Sequence, residues 1–279
     1  MIKAIINGRV ADCVAASDRG LLYGDGLFET VAVRKGKPEY WQQHLQRLQT
    51  GCSRLGIEPV DELLLAEQCQ LLADGVDQAV IKIIVTRGSG GRGYRVPARP
   101  ASTRILQLHE WPDFPPACAQ QGVAARLCDM RLGHNPVLAG IKHLNRLEQV
   151  LARQEWDDNG IREGLLLDTA GNLVEGTMSN LFLVRDGVLL TPDLQRCGVA
   201  GIMRSRVLEL ADQLSMSAEV CQLEMTDLHT AGEIFICNSL IGIWPVITVD
   251  DRSYNKGPMT SCLQDTLAAD ADTGKKWRL

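Results

Sequence analysis

The stretch VTRGSGGRGYRV (85–96) contains Gly88-Ser89-Gly90-Gly91-Arg92-Gly93, a letter-for-letter G-x-G-x-x-G. As a dinucleotide loop it would make the chain a doubly wound parallel sheet. Those glycines must then lead from a strand straight into a helix whose N-terminus takes a pyrophosphate. The strand is there in AVIKIIVT (79–86), whose β-branched run favours extended backbone. The helix is not: Pro97 and Pro100 follow at once, and RVPARP (95–100) cannot form a helix interior. No Gly-Lys-Ser/Thr closes a Walker loop. An arginine-glycine RNA segment would lie in a longer basic, disordered tract, not between two strands. What remains is a mobile loop at a sheet edge presenting Arg87, Arg92 and Arg95. Their guanidinium forks suit carboxylates or phosphates; a solvated connection with incidental arginines is the alternative.

Composition narrows the class. At 279 residues, 45% hydrophobic and 23% charged, the chain can bury one large core or two modest ones. A formal charge of -5 offers no basic face to nucleic acid or an anionic membrane. No run approaches the length of a transmembrane helix, and MIKAIING (1–8) lacks the parts of a signal peptide, so a cytoplasmic protein is expected. The 9 cysteines include no C-x-x-C, so neither a zinc site nor a redox motif is supported and no metal is expected. They read as small core residues in a reducing compartment.

Periodicity predicts two domains of the α+β class: a smaller N-terminal α/β domain (1–111), a linker (112–121) and a C-terminal domain (122–279) with a barrel-like sheet. IINGRV (5–10) reads as a hairpin turning at Asn7-Gly8. Trp41, Leu45, Leu48, Cys52 and Leu55 recur at helical spacing, and Asp61 caps a second helix through ELLLAEQCQLLA (62–73). AVIKIIVT and TRILQLHE (103–110) are strands. Pro112, Pro115 and Pro116 then mark the linker. Beyond it come a strand, GVAARLC (122–128), and a helix with Leu144, Leu147, Val150 and Leu151 on its apolar face. Short strands follow in GLLLD (164–168), LVEGTMSNLFLV (173–184) and VLLT (188–191), with a turn at Asp186-Gly187. A helix over 201–214 precedes strands in AEVCQL (218–223), EIFICNSL (233–240) and IGIWPVITV (241–249). The polar tail after Asp270 is expected to fray.

Two lysines sit in apolar company, Lys82 in AVIKIIVT and Lys142 in LAGIKHLNR (138–146). Such a site lowers a lysine's pKa and frees its amine as a nucleophile or base; either could equally be a snorkelling surface residue, and spacing does not choose between them. Glu175 lies at a kink in VEGTMSN (174–180), with Thr177, Ser179 and Asn180 at hand to hydrogen-bond it. GVAGIMRSR (198–206) enters a helix as a glycine-bounded loop able to hold phosphate, and CNS (237–239) ends a strand. An amine, a carboxylate and a phosphate cradle are what pyridoxal 5'-phosphate requires: a covalent anchor, a partner that keeps the pyridine nitrogen protonated, and a hold on the phosphate.

Four segments together resemble one family. SDRGLLYGDGLFET (17–30), RGSGGRGY (87–94), RLGHNPVLAGIKHLNRLEQVLAR (131–153) and VEGTMSNLF (174–182) are similar to the 4-amino-4-deoxychorismate lyases, pyridoxal-phosphate enzymes of fold type IV. That fold also serves branched-chain and D-amino-acid aminotransferases. The resemblance implies that Lys142 is the catalytic lysine that carries the cofactor and that Glu175 faces its pyridine nitrogen. Arg47 would bind the phosphate with the backbone amides of Ile202 and Met203 and with Asn238 and Ser239. Thr30, Arg92 and Tyr94 would face the substrate. His134 stands where relatives carry arginine, so no substrate role is carried over to it. The implied reaction releases pyruvate from 4-amino-4-deoxychorismate and leaves p-aminobenzoate, for folate biosynthesis, in a homodimer. An aminotransferase on the same fold is the alternative enzyme, and a cofactor-free binding protein the alternative class.

Overall fold

The computed structural model describes residues 3–272. Among the described residues the chain divides into two units, one of residues 3–112 together with Ile141–Asn145, the other of Asp113–Gly140 and residues 146–272. Among the described residues no helix is long and apolar enough to cross a membrane.

In the first unit β1 (Lys3–Ile6) and β2 (Arg9–Val10) form the expected hairpin. Its turn residues take φ of 51° at Asn7 and 83° at Gly8, the left-handed pair that matches strand twist. After a short helix α1 (Arg19–Tyr23), β3 (Gly26–Arg34) and β4 (Lys37–Pro38) lead to helices α2 (Trp41–Leu55) and α3 (Glu62–Ala73), then β5 (Gln78–Thr86) and β6 (Thr103–His109). All pairings in the order β2-β1-β6-β5-β3-β4 are antiparallel. Asp61 caps α3 by accepting from Leu64 N at 3.1 Å. Alternation along β3 sends Leu27, Glu29, Val31 and Val33 to one buried face. There α2 packs so closely that a Cβ on Gly51 would lie 2.8 Å from the Leu27 side chain. Leu45, Leu48 and Cys52 of α2 and Leu65 and Leu72 of α3 complete this core, each buried leucine contributing about 2 kcal/mol.

The second unit begins with one turn of helix, α4 (Ala117–Gln120), inside the proline-rich stretch read as linker. Next come β7 (Val123–Leu132), α5 (Leu147–Arg153), β8 (Ile161–Asp168), β9 (Leu173–Gly176), β10 (Asn180–Arg185) and β11 (Val188–Pro192). Helix α6 (Ile202–Gln213), β12 (Ala218–Cys221), α7 (Met225–Thr230), β13 (Glu233–Asn238), β14 (Gly242–Val249), β15 (Arg252–Ser253) and α8 (Pro258–Asp272) follow. Strands β10, β13, β14, β7, β8 and β9 are neighbours in that order, and the Asn180–Glu175 pair joins β9 back to β10. The sheet thus closes into a six-stranded barrel, with β11, β12 and β15 outside the ring. Leu165, Leu181, Leu183, Ile234, Ile236 and Val246 fill the core it shares with the surrounding helices.

One expectation fails here, and one helix was not foreseen. Helix α5 starts at Leu147, so Leu144 is not part of it, and Leu147, Val150 and Leu151 are 68%, 49% and 44% exposed. The stripe is apolar but faces outward, and the helix buries Ala152 against Leu132 and Trp156 instead. Helix α8 has no counterpart in the sequence reading, because its apolar residues are too sparse to show a face. It is tied down by polar groups: Glu233 accepts from Thr260 N and Oγ1 at 2.8 and 2.7 Å. The tail read as fraying lies, from residue 273, outside the described residues. The cysteines are unpaired, and burial pushes the thiols of Cys128, Cys197 and Cys237 up to about 12, which leaves them inert at neutral pH.

Candidate active site

In the first unit the candidate residues gather on and around β3. Ile141–Asn145 runs along the Gly26–Phe28 end of that strand: Phe28 N donates to Lys142 O at 2.9 Å and Leu144 N to Gly26 O at 3.0 Å. This backbone pairing fixes where Lys142 starts, and its Nζ lies 4.5 Å from the Phe28 ring centroid. The competing Lys82 reaches the same ring, at 5.4 Å, and stands opposite Thr30 in the β3–β5 register. Both lysines therefore attend one aromatic ring, which is why apolar context could not separate them.

Glu29, next to Phe28 but on the α2 side, is fully buried. Its Oε1 accepts from Arg47 Nε at 2.7 Å, and its Oε2 from Arg47 Nη2 at 2.5 Å and His44 Nδ1 at 2.6 Å. Burial raises the carboxyl pKa, but the Arg47 charge and these hydrogen bonds outweigh it and hold the group at about 2. His44 is pulled below its ordinary range by burial more than Glu29 raises it, so it stays neutral near pH 7. Sequence reading missed Glu29 and His44. The available signal was the spacing of His44 and Arg47, three apart on one helix face.

The arginine loop divides. Arg87, expected to be presented to solvent, is buried: it pairs bidentately with Asp25 and donates to the carbonyls of Leu55 and Gly56 at the end of α2. The reason is that Asp25 needs cations. Arg19 also pairs with it, and together the two arginines overcome burial to lower its pKa. Arg19 further donates to the carbonyls of Gly93, Tyr94 and Arg95 at 3.1, 3.0 and 3.4 Å. Arg92 and Arg95 are exposed, and Tyr94 is 83% exposed with its ring 5.3 Å from that of Tyr23. No helix follows the glycines. At Gly88, with φ +84°, a Cβ would meet Ala101 O at 1.7 Å, so the glycine serves a tight crossing, not a pyrophosphate.

In the second unit Glu175 is buried on β9, its Oε2 accepting from Val199 N at 2.8 Å and its Oε1 from Gln149 Nε2 at 3.4 Å. Asn180 Nδ2 donates to Val199 O at 2.8 Å, holding the loop that enters α6. That helix begins at Gly201 without a side-chain cap, leaving the first-turn amides of Ile202 and Met203 to other acceptors. Thr177 and Ser179 do not bond Glu175 as expected. They bond Glu163, a buried acid that sequence reading passed over. It accepts from Thr177 N and Oγ1 at 3.0 and 2.5 Å, Ser179 Oγ at 2.6 Å, Gly164 N at 2.9 Å and Met178 N at 3.3 Å. Burial nonetheless raises its pKa. Asn238 turns the chain after β13: Oδ1 accepts from Leu240 N and Ile241 N, and Nδ2 donates to Met178 O, with Ser239 half-buried beside it. His134 is occupied by Asp168, Nε2 to Oδ2 at 2.8 Å.

These elements define a class. The model of amino-transferase class IV matches residues 26–249, and the chain belongs to that family. It is an enzyme with the type IV pyridoxal-phosphate fold. Along 94% of its length it is 37% identical to the aminodeoxychorismate lyase of Vibrio harveyi, 98% of which is covered. The crystal structure of 4-amino-4-deoxychorismate lyase from Pseudomonas aeruginosa superposes with a TM-score of 0.93 at 48% identity, over 96% of this chain and 99% of that one. A putative branched-chain-amino-acid aminotransferase of Methanocaldococcus jannaschii is 32% identical across 99% of this chain and 98% of its own length.

The cofactor of this family is pyridoxal 5'-phosphate, and the donor set suits it. The first unit offers an amine over an aromatic ring and a guanidinium squared up by a carboxylate, and the second by itself offers a buried acid and a helix start with no side-chain cap. His44 Nε2 is also buried, with no partner among the described residues.

Proposed function

We propose that the chain cleaves 4-amino-4-deoxychorismate to p-aminobenzoate and pyruvate. The observation that carries this is the near full-length likeness, at 48% and 37% identity, to two lyases of that name, against 32% for the aminotransferase relative. Pyridoxal 5'-phosphate, when bound, supplies an electron sink next to the substrate's amine-bearing carbon. Lys142 would hold the cofactor and, with the substrate in place, its amine would take the proton from C4. Loss of that proton lets the C3–O bond break, enolpyruvate departs to become pyruvate, and the ring becomes aromatic. Glu175 keeps the pyridine nitrogen protonated. Arg47, the amides of Ile202 and Met203, Asn238 and Ser239 hold the phosphate. Thr30, Tyr94 and Arg92 meet the substrate, whose two carboxylates suit an exposed guanidinium. The open apolar stripe of α5 supports a homodimer, and the product would serve folate biosynthesis.

The test is pyruvate release from 4-amino-4-deoxychorismate by the purified chain. Lys142→Ala should abolish it, and retention of most activity would refute this assignment. The full-length aminotransferase relative keeps one other reading in play. If the protein's visible absorption band moved to the pyridoxamine form on adding D- or L-amino acids, without pyruvate release from the lyase substrate, transamination would replace it.

A further inference from the structure

Glu29 lies on a β-strand between Phe28, whose ring faces Lys142, and Thr30, yet its own carboxylate is aimed into α2. Both its oxygens are spent on Arg47, and one is shared with His44. Arg47 and His44 are on the same face of α2, so the three side chains form a closed unit that is almost wholly buried. A long arginine side chain samples many rotamers, and ordering it costs up to about 2 kcal/mol. Pairing through the Nε and Nη2 edge fixes the guanidinium plane before any ligand arrives, and the remaining N–H directions are then fixed too. His44 plays the matching part for the carboxylate. Its Nδ1 donates to Oε2 and keeps the acid from rotating away from the guanidinium.

The formal charge of the unit decides how it works. With Glu29 ionised, His44 neutral and Arg47 cationic, the net charge is zero. A phosphate dianion approaching Arg47 therefore meets oriented donors and no surplus of positive charge. Orientation and charge make opposite predictions for removal of the acid, because neutralising Glu29 leaves Arg47 more positive but less well held.

We propose that Glu29 is the positioning residue of the cofactor's phosphate anchor, acting through Arg47 and itself steadied by His44. This rests on the reading that Arg47 binds the phosphate.

The experiment uses the full chain dialysed free of cofactor, titrated with pyridoxal 5'-phosphate and separately with pyridoxal, which lacks the phosphate. Binding is followed by tryptophan fluorescence and the visible band. Glu29→Gln should weaken pyridoxal 5'-phosphate by roughly tenfold or more and leave pyridoxal within about twofold, and inorganic phosphate should compete less well. Glu29→Asp, which keeps the charge but draws the carboxylate back by one methylene, should fall in between and serves alone if the glutamine variant does not fold. Tighter or unchanged binding of pyridoxal 5'-phosphate would overturn the proposal, as would equal loss of both ligands, the mark of a merely structural role. Arg47→Ala separates the two levels. If it leaves the ratio of the two affinities unchanged, the assignment of Arg47 fails; if it collapses that ratio while Glu29→Gln does not, only the role of Glu29 fails.

Discussion

Removing the Glu163 carboxylate should be among the costliest single changes in the second unit. The acid gathers five donors, three backbone amides and two hydroxyls, at 2.5 to 3.3 Å. In Glu163→Ala the hydroxyls of Thr177 and Ser179 can swing to new acceptors, and Met178 N lies in an exposed residue where water replaces the lost oxygen. Thr177 N keeps its bond to Gly164 O at 2.9 Å, but the Gly164 amide cannot turn and loses the acid it donates to. Each buried donor left unpaired costs about 1–3 kcal/mol, and a cavity term adds to this while relief of carboxylate desolvation subtracts. The expected net destabilisation is about 3 kcal/mol. Glu163→Gln keeps the shape and one acceptor oxygen and should cost about 1–2 kcal/mol. Urea unfolding read by tryptophan fluorescence, extrapolated linearly, measures both. Because the turn at Thr177–Ser179 follows Glu175 directly, the alanine variant should also bind pyridoxal 5'-phosphate more weakly. A cost below about 1 kcal/mol for alanine, or glutamine as damaging as alanine, would refute the reasoning from donor count.

Two further expectations separate residues that look alike in sequence. Arg87→Met should destabilise by roughly 2–4 kcal/mol, since it strips a buried pair from Asp25 and two carbonyls at the end of α2 of their donor; Arg92→Ala should leave the urea midpoint unmoved and raise KM for the lyase substrate, and equal midpoints for the two variants would contradict the division of the loop. Glu29 has a folded pKa of about 2 against an ordinary 4.5, a depressed acid, so its contribution is present above pH 4.5 and is lost as pH falls toward 2. That contribution is on the order of 3 kcal/mol, and an acid unfolding curve for Glu29→Gln as steep as wild type between those values would show that it is absent.

Local pattern carried much of the fold. The Asn7-Gly8 hairpin, the α2 stripe, the Asp61 cap and the β-branched strands each depend on neighbours within a few residues, and each is where the sequence puts it. Helix α8 escaped because Glu233, which anchors its first turn, lies 27 residues upstream of Thr260. Helix α5 shows the opposite error: apolar spacing states that a face wants cover, not that this chain supplies it. The site behaves alike. Glu163 and Glu29 each serve partners 14 to 18 positions away, a separation at which no periodicity operates. Lys142 and Lys82 converge on one ring, so only the likeness of the surrounding words to a known family could prefer one, and Arg87 reads as a presented residue because nothing short-range reveals Asp25 as its counter-ion.

The grouping of Ile141–Asn145 with the first unit also bears on synthesis. The Gly26–Phe28 edge of β3 receives its last backbone partners from residues that emerge from the ribosome more than a hundred positions later. Until then a nascent or truncated chain ending near Pro112 carries an unpaired strand edge, the kind that invites sticking to other copies. The segment that covers this edge is the one that bears Lys142, so a chain cut short before it would lack both the cover and the amine.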